Sequence, residues 1–185
     1  MKKLLIVVAV ATLGISQQLS AQEVKLGTKV GLNISNFSGG DADRNSLIGF
    51  HVGFISEISL SEKFSLQPEL LYTQQGSEAQ DVVKVKLDYI SVPVMAKFYV
   101  ADNFSIEVGP QASFLVSDKG DYNDSSIPDE DTDAANFDFG ANVGLGYKLG
   151  SNLFTQVRYN FGITTIAENP DIKNSVFQIS LGYIF

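Results

Sequence analysis

Cysteine is absent from the 185 residues, so the chain carries no disulfide, no thiolate metal site and no lipid-modified cysteine. Histidine occurs once, at His51, and no His/Glu zinc spacing is present. No glycine-rich loop of the kind that cradles phosphate is found, and basic residues do not gather with aromatics into a strip for nucleic acid. Positive charge is scarce: 13 Lys and Arg stand against 21 Asp and Glu, a formal net charge of −8. So acidic a chain repels phosphate backbones, which excludes nucleic acid as an expected partner. Past Ala21 no second apolar run approaches the roughly 20 residues that a transmembrane helix needs. A membrane role for that part of the chain therefore requires a closed barrel, because in lipid only helices and barrels satisfy every backbone group.

The N-terminus reads Met1-Lys2-Lys3, then an apolar stretch from Leu4 to Ile15, then Ser16-Gln17-Gln18-Leu19-Ser20-Ala21. A positive start, an apolar middle and a small-residue end predict a secretory signal peptide over 1–21, cut after Ala21. An uncleaved anchor helix is the competing reading, and the apolar stretch is short for it. The leader holds two lysines and no acid, so processing makes the protein two units more acidic. The remaining residues, 22–185, show no linker and read as one domain.

What fills that domain is alternation at period two, the mark of strands with one apolar face. Val24 to Ser35 sets Leu26, Val30, Leu32 and Ile34 against Lys25, Lys29 and Asn33. Ile48 to Leu60, Phe64 to Gln75, Phe104 to Ser117, Asn136 to Leu149, Leu153 to Ile163 and Ser175 to Phe185 alternate likewise. Val82 to Val100 breaks phase: Val83, Val85, Leu87 and Tyr89 are odd-numbered, whereas Ile90, Val92, Val94, Ala96 and Phe98 are even. A slip of one residue flips every later side chain, so the pattern predicts a β-bulge near Tyr89-Ile90. Three connections are tight (Ser61-Glu62-Lys63, Ala101-Asp102-Asn103 and Gly150-Ser151-Asn152). Four are longer: Asn36–Leu47, Gly76–Asp81, Asp118–Ala135 and Thr164–Asn174. The expected fold is all-β, an eight-stranded antiparallel up-and-down transmembrane barrel, with termini and tight turns periplasmic and long loops outward.

Alternation alone does not say which face is inside, since a soluble lipocalin-like barrel alternates too. The polar face is rich in Gly, Ser, Asn and Gln, and its charges nearly balance. Glu57, Glu69, Glu107 and Asp138 meet Lys29, Lys97, Lys148 and Arg158. That suits a crowded interior, where an unpaired charge is expensive. Lys29, Glu57, Glu69, Lys97, Glu107 and Arg158 fall in the lower and middle barrel. They are expected to form a polar network that fills the lumen rather than a gated pore or proton path, because eight strands leave room for little beyond side chains. Aromatics on the apolar face gather toward strand ends. Phe64, Phe98, Phe104, Tyr147, Tyr183 and Phe185 lie near the tight turns. Phe50, Tyr72, Tyr89, Phe114, Phe137, Tyr159 and Phe177 lie near the long loops. Two such bands match two water–lipid interfaces. Phe177, Ile179, Leu181, Tyr183 and Phe185 make an alternating apolar ending similar to the C-terminal signal read by the barrel-assembly machinery.

Three segments, KVGLNISNFSGG, IGFHVGFISEISLSEKFSLQPELLYTQQG and LDYISVPVMAKFYV, resemble the outer-membrane barrel domain of the PorT-like proteins, and GANVGLGYKLGSNLFTQVRYNFGI continues the likeness. PELLYTQQG and DYISVPVMAKFY are its most specific parts. The resemblance implies a small barrel in the outer membrane of a Gram-negative bacterium and an association with protein secretion; it carries no functional residue.

Chemistry is thinly signalled. His51 is a conceivable general base with Ser46 or Asp43 nearby in sequence, but no nucleophile and orienting acid are placed around it. Asp129, Asp131 and Asp133 have the spacing of an EF-hand start, yet Ala134 and Gly140 stand where Gly and Glu are needed, so the motif fails. The segment Asp118–Ala135 reads as a solvated acidic loop with weak divalent binding as the competing use. The sequence therefore predicts a non-enzymatic barrel without a cofactor. It would touch outer-membrane lipid, and a periplasmic protein or a partner at its outer loops. A narrow porin-like channel and a lipid-modifying enzyme are the alternatives.

Overall fold

The computed structural model describes residues 23–39, 44–79, 83–122, 135–165 and 172–185. The expected leader, its cleavage point, Asp43 and the three aspartates of the failed EF-hand start lie outside the described residues. Eight strands run in order: β1 (Val24–Ser38), β2 (Arg44–Ser61), β3 (Phe64–Ala79), β4 (Val83–Ala101), β5 (Phe104–Tyr122), β6 (Phe137–Lys148), β7 (Leu153–Gly162) and β8 (Lys173–Ile184). Each pairs antiparallel with its sequence neighbours, and β1 pairs with β8, so the sheet closes into a barrel. The tight turns fall where the sequence places them. On the other side the strands run on into the segments read as loops, and β4 and β5 reach 19 residues each. Crossing a bilayer takes only about 9–11.

The outer surface is apolar. Leu26, Val30, Phe54, Val94, Ile106, Leu145, Ile179 and Leu181 all project outward and are exposed, which only a hydrocarbon surround makes tolerable over so continuous a face. Two aromatic bands bound this belt. Phe64 packs on Phe98 with ring centroids 4.9 Å apart, and Tyr183 on Phe185 at 5.9 Å. At the loop end Phe50 meets Tyr72 at 5.8 Å and Phe114 meets Phe137 at 5.4 Å.

The phase break in β4 is resolved differently from the sequence expectation. Against β3 the register of β4 is constant from Phe64↔Phe98 to Ala79↔Val83. Against β5 it steps from Asp88↔Ser117 to Tyr89↔Leu115, so the extra residue is Val116 of β5. The bulge therefore sits one strand over. Because β4 never changes phase, its odd-numbered residues point inward from Leu87 to Lys97. Leu87 and Tyr89 are 1% and 0% exposed, not part of the lipid face or of the loop-end aromatic band. Leu87 and Tyr89 form a cluster with Phe37, Val85, Leu115 and Ile172 packed against it. Hydrophobicity here marks a dry filling at the loop end of the bore.

Glycines on the inward face make room for large neighbours. A Cβ on Gly144 would lie 2.6 Å from the Val157 carbonyl oxygen and 2.7 Å from Arg158 Cγ, and one on Gly31 would lie 2.6 Å from the His51 ring. Gly144→Ala should cost about 1–3 kcal/mol, the usual range for overpacking a tight interior. Gly150→Ala should be neutral, since nothing lies within 4 Å of its Cβ position. Reversible urea unfolding from phospholipid vesicles measures both.

Candidate functional site

The inward positions of β1, β2, β3, β4, β5 and β7 bring all six expected network residues into one cluster. Arg158 on β7 is its centre. Its guanidinium donates to both carboxylate oxygens of Glu69, Nη2 to Oε1 at 2.6 Å and Nη1 to Oε2 at 3.0 Å. It also reaches Glu107 Oε2 at 3.0 Å. Lys29 donates to Glu69 Oε2 at 2.7 Å. Lys97 donates to Glu57 Oε2 at 2.7 Å and stands 3.7 Å from Glu107. Side-chain exposure across the six is 0–5%. Three acids and three bases thus neutralise one another where water scarcely reaches, which is what makes ionised groups tolerable at that depth.

Three residues that the sequence reading did not single out stitch the cluster together. Gln67 accepts from Lys97 at 2.9 Å and donates to Glu69 at 2.7 Å. Gln156 donates to both oxygens of Glu107, at 2.9 and 3.1 Å. Tyr99 donates its hydroxyl to Glu57 at 2.7 Å. The available signal was parity: Gln67 and Gln156 each stand two positions from a charged member on the same strand face. The other two charges of the polar face lie apart. Lys148 sits over the Tyr99 ring at 4.1 Å, and Asp138 accepts from Thr164 and Asn174, each at 2.7 Å.

Above the charges comes a neutral polar layer. Ser91 and Ser113 share a hydrogen bond of 2.8 Å, Gln111 donates to Ser113, and Asn142 links Gln111 to Asn160. On the β1, β2 and β8 wall of the bore His51 finds partners, though not Ser46, which is exposed at the loop end. Its Nδ1 lies 2.7 Å from Asn33 Oδ1 and its Nε2 2.8 Å from Ser180 Oγ. Asn33 gives its amide protons to the Phe50 and Gln74 carbonyls, so Oδ1 is the acceptor. Nδ1 therefore carries the proton, and Ser180 donates to Nε2. The order Ser–His–Asn has the spacing of a nucleophilic triad. It lacks the rest of one. All three side chains are buried within the bore. The Asn33 amide is committed to backbone carbonyls and to Thr73, and Gln178 donates to Asn33 itself. No donor among these is left to stabilise an oxyanion.

At the tight-turn end the bore opens into a polar cup of about 780 Å³, whose lining includes Lys25, Glu57, Ser65, Tyr99 and Lys148.

Arg158→Ala should destabilise the barrel by about 3–5 kcal/mol, the cost of stranding buried charges. Arg158→Met combined with Glu107→Gln leaves the Lys29–Glu69 and Lys97–Glu57 pairs intact and should recover most of that loss in the same unfolding measurement.

A family model described as outer membrane protein beta-barrel domain matches residues 16–168. No curated protein matches the chain. Among solved structures, Neisserial surface protein A is 13% identical over 88% of this chain and 99% of that one, with a TM-score of 0.65. Ail, the attachment invasion locus protein of Yersinia pestis, is 14% identical over 88% and 99%, with a TM-score of 0.57. Ail in a phospholipid bilayer nanodisc is 18% identical over 88% and 100%, with a TM-score of 0.52. At these identities the likeness is one of fold.

Proposed function

Since the chain belongs to the outer membrane protein β-barrel family, we propose that it is a non-enzymatic, non-conducting barrel of that membrane, acting through its surfaces rather than its lumen. The termini and tight turns face the periplasm, and the longer loops face outward. The barrel contributes structure to the membrane or presents those loops or its periplasmic cup to a partner protein. The PorT-like resemblance makes a protein-secretion apparatus the leading candidate for that partner. The alternating C-terminal residues Phe177, Ile179, Leu181, Tyr183 and Phe185 all face outward and are exposed, available to the assembly machinery during biogenesis.

The observation that carries this reading is the filled bore, whose central charges are 0–5% exposed. Eight strands enclose just enough width for side chains, and here side chains occupy it. The porin-like reading draws on the open cup, which Glu57, Ser65 and Tyr99 help to line. The enzyme reading draws on the spacing of Ser180, His51 and Asn33 and is opposed by their burial.

Purified protein in planar bilayers should give no discrete conductance steps; reproducible steps would replace this reading with the channel. Photo-cross-linking from residues 118–135 in cells should capture a defined protein partner. A blank result there, with capture from the cup residues instead, would move the interacting surface to the periplasmic end.

A further inference from the structure

The bore is filled at two heights, around a charged cluster at one and around Leu87 and Tyr89 at the other, and we propose that each filling seals it independently of the other. The inference rests on the filled-bore reading above and adds where the barrier lies. Toward the tight turns the seal centres on ionic groups, with the apolar trio Ile55, Phe154 and Ile184 buried beside them and Lys97 Nζ 5.6 Å from the Phe154 ring. Arg158 grips Glu69 with two hydrogen bonds and Glu107 with a third contact, and Lys29 and Lys97 close the remaining sides. These groups hold one another in place of water, and moving any of them breaks charge-assisted bonds. Toward the loops the seal is built on an apolar cluster, with buried Gln75 and Thr73 across the sheet from Leu87 and Tyr89. Leu87 and Tyr89 are buried in the lumen with Phe37, Val85, Leu115 and Ile172 against them, and an apolar constriction excludes water and ions by dewetting.

Between the two lies the neutral layer of Ser91, Ser113, Gln111, Asn142 and Asn160, bonded within itself. Along β4, Ser91 falls between Tyr89 of the apolar seal and Lys97 of the ionic one. A barrel needing only a packed lumen could fill it with one kind of side chain. Here that layer, with Leu71 across the sheet from Ser91, separates two barriers, so a reagent reaching Ser91 must have passed one of them.

The absence of cysteine makes this directly measurable. Ser91→Cys reports on the compartment, and Ser59→Cys, in the cup, is the positive control. The reagent is a charged methanethiosulfonate applied to folded protein in detergent micelles, with folding checked by heat-modifiable gel migration. Cys at 91 should react about a hundredfold more slowly than Cys at 59, as expected for a thiol cut off from water. Adding Leu87→Ser with Tyr89→Ser should raise its rate about tenfold or more, and so, separately, should the charge-balanced pair Arg158→Ser with Glu107→Ser. Lys97→Ser with Glu57→Ser serves in place of the latter pair if that variant does not fold. Conductance in planar bilayers should appear only when both seals are opened together. Fast labelling at position 91 with both seals intact overturns the proposal, as does conductance from opening one seal alone. A pair of substitutions that leaves position 91 protected shows that its layer is not a barrier and also overturns it. Conductance from the unsubstituted protein would instead defeat the non-conducting function itself.

Discussion

Backbone amides in hydrocarbon can bond only to one another, and in this chain the pairing of β1 with β8, from Gly27↔Ile184 to Ser38↔Lys173, completes that requirement. Closure at eight strands then sets the width of the bore. Width in turn dictates what the inward positions can be. Large residues such as His51 and Arg158 fit where a neighbouring strand supplies glycine, and the central charges meet opposite charges at contact distance. The Arg158–Glu69–Lys29 and Lys97–Glu57 contacts are therefore consequences of closure as much as supports for it.

Much of this was legible in the sequence because a strand has period two and a lipid belt is uniformly apolar. Lys29, Glu57, Glu69, Lys97, Glu107 and Arg158 announce themselves as inward by parity, and their balance of sign hints that they meet. The reading failed at Leu87 and Tyr89 for a physical reason. Hydrophobicity reports exclusion from water without saying by what, and a dry plug inside the barrel is as apolar as the lipid outside it. Ile90 pairs with Tyr72 and Phe114 at the loop-end aromatic band. The residues of β4 before it rise past the belt, so lipid no longer dictates which face is apolar. The extra residue, Val116, lay on the partner strand, where the alternation of β5 gave no sign of it. Ser180 was illegible as the partner of His51 because their meeting depends on closure and stagger across strands far apart in sequence.

The Ser180–His51–Asn33 array shows how little a spacing means without its surroundings. Its distances suit proton transfer, yet its members spend their hydrogen bonds on the barrel wall and on one another. The molecule presents its surroundings with surfaces: an apolar exterior with two aromatic rims, a polar cup at one end, and strands β4 and β5 rising beyond the belt at the other.

The inward glycines bind the histories of neighbouring strands together. Gly31 lies under His51, Gly144 under Arg158 and Gly182 under the ring of Phe154, so notch and filler come from different strands in each case. A lineage that fills one notch must shrink the side chain facing it, and a lineage that trims the filler leaves a hole that the notch cannot mend. Each notch and its filler can therefore be changed only together, by trading volume across the sheet.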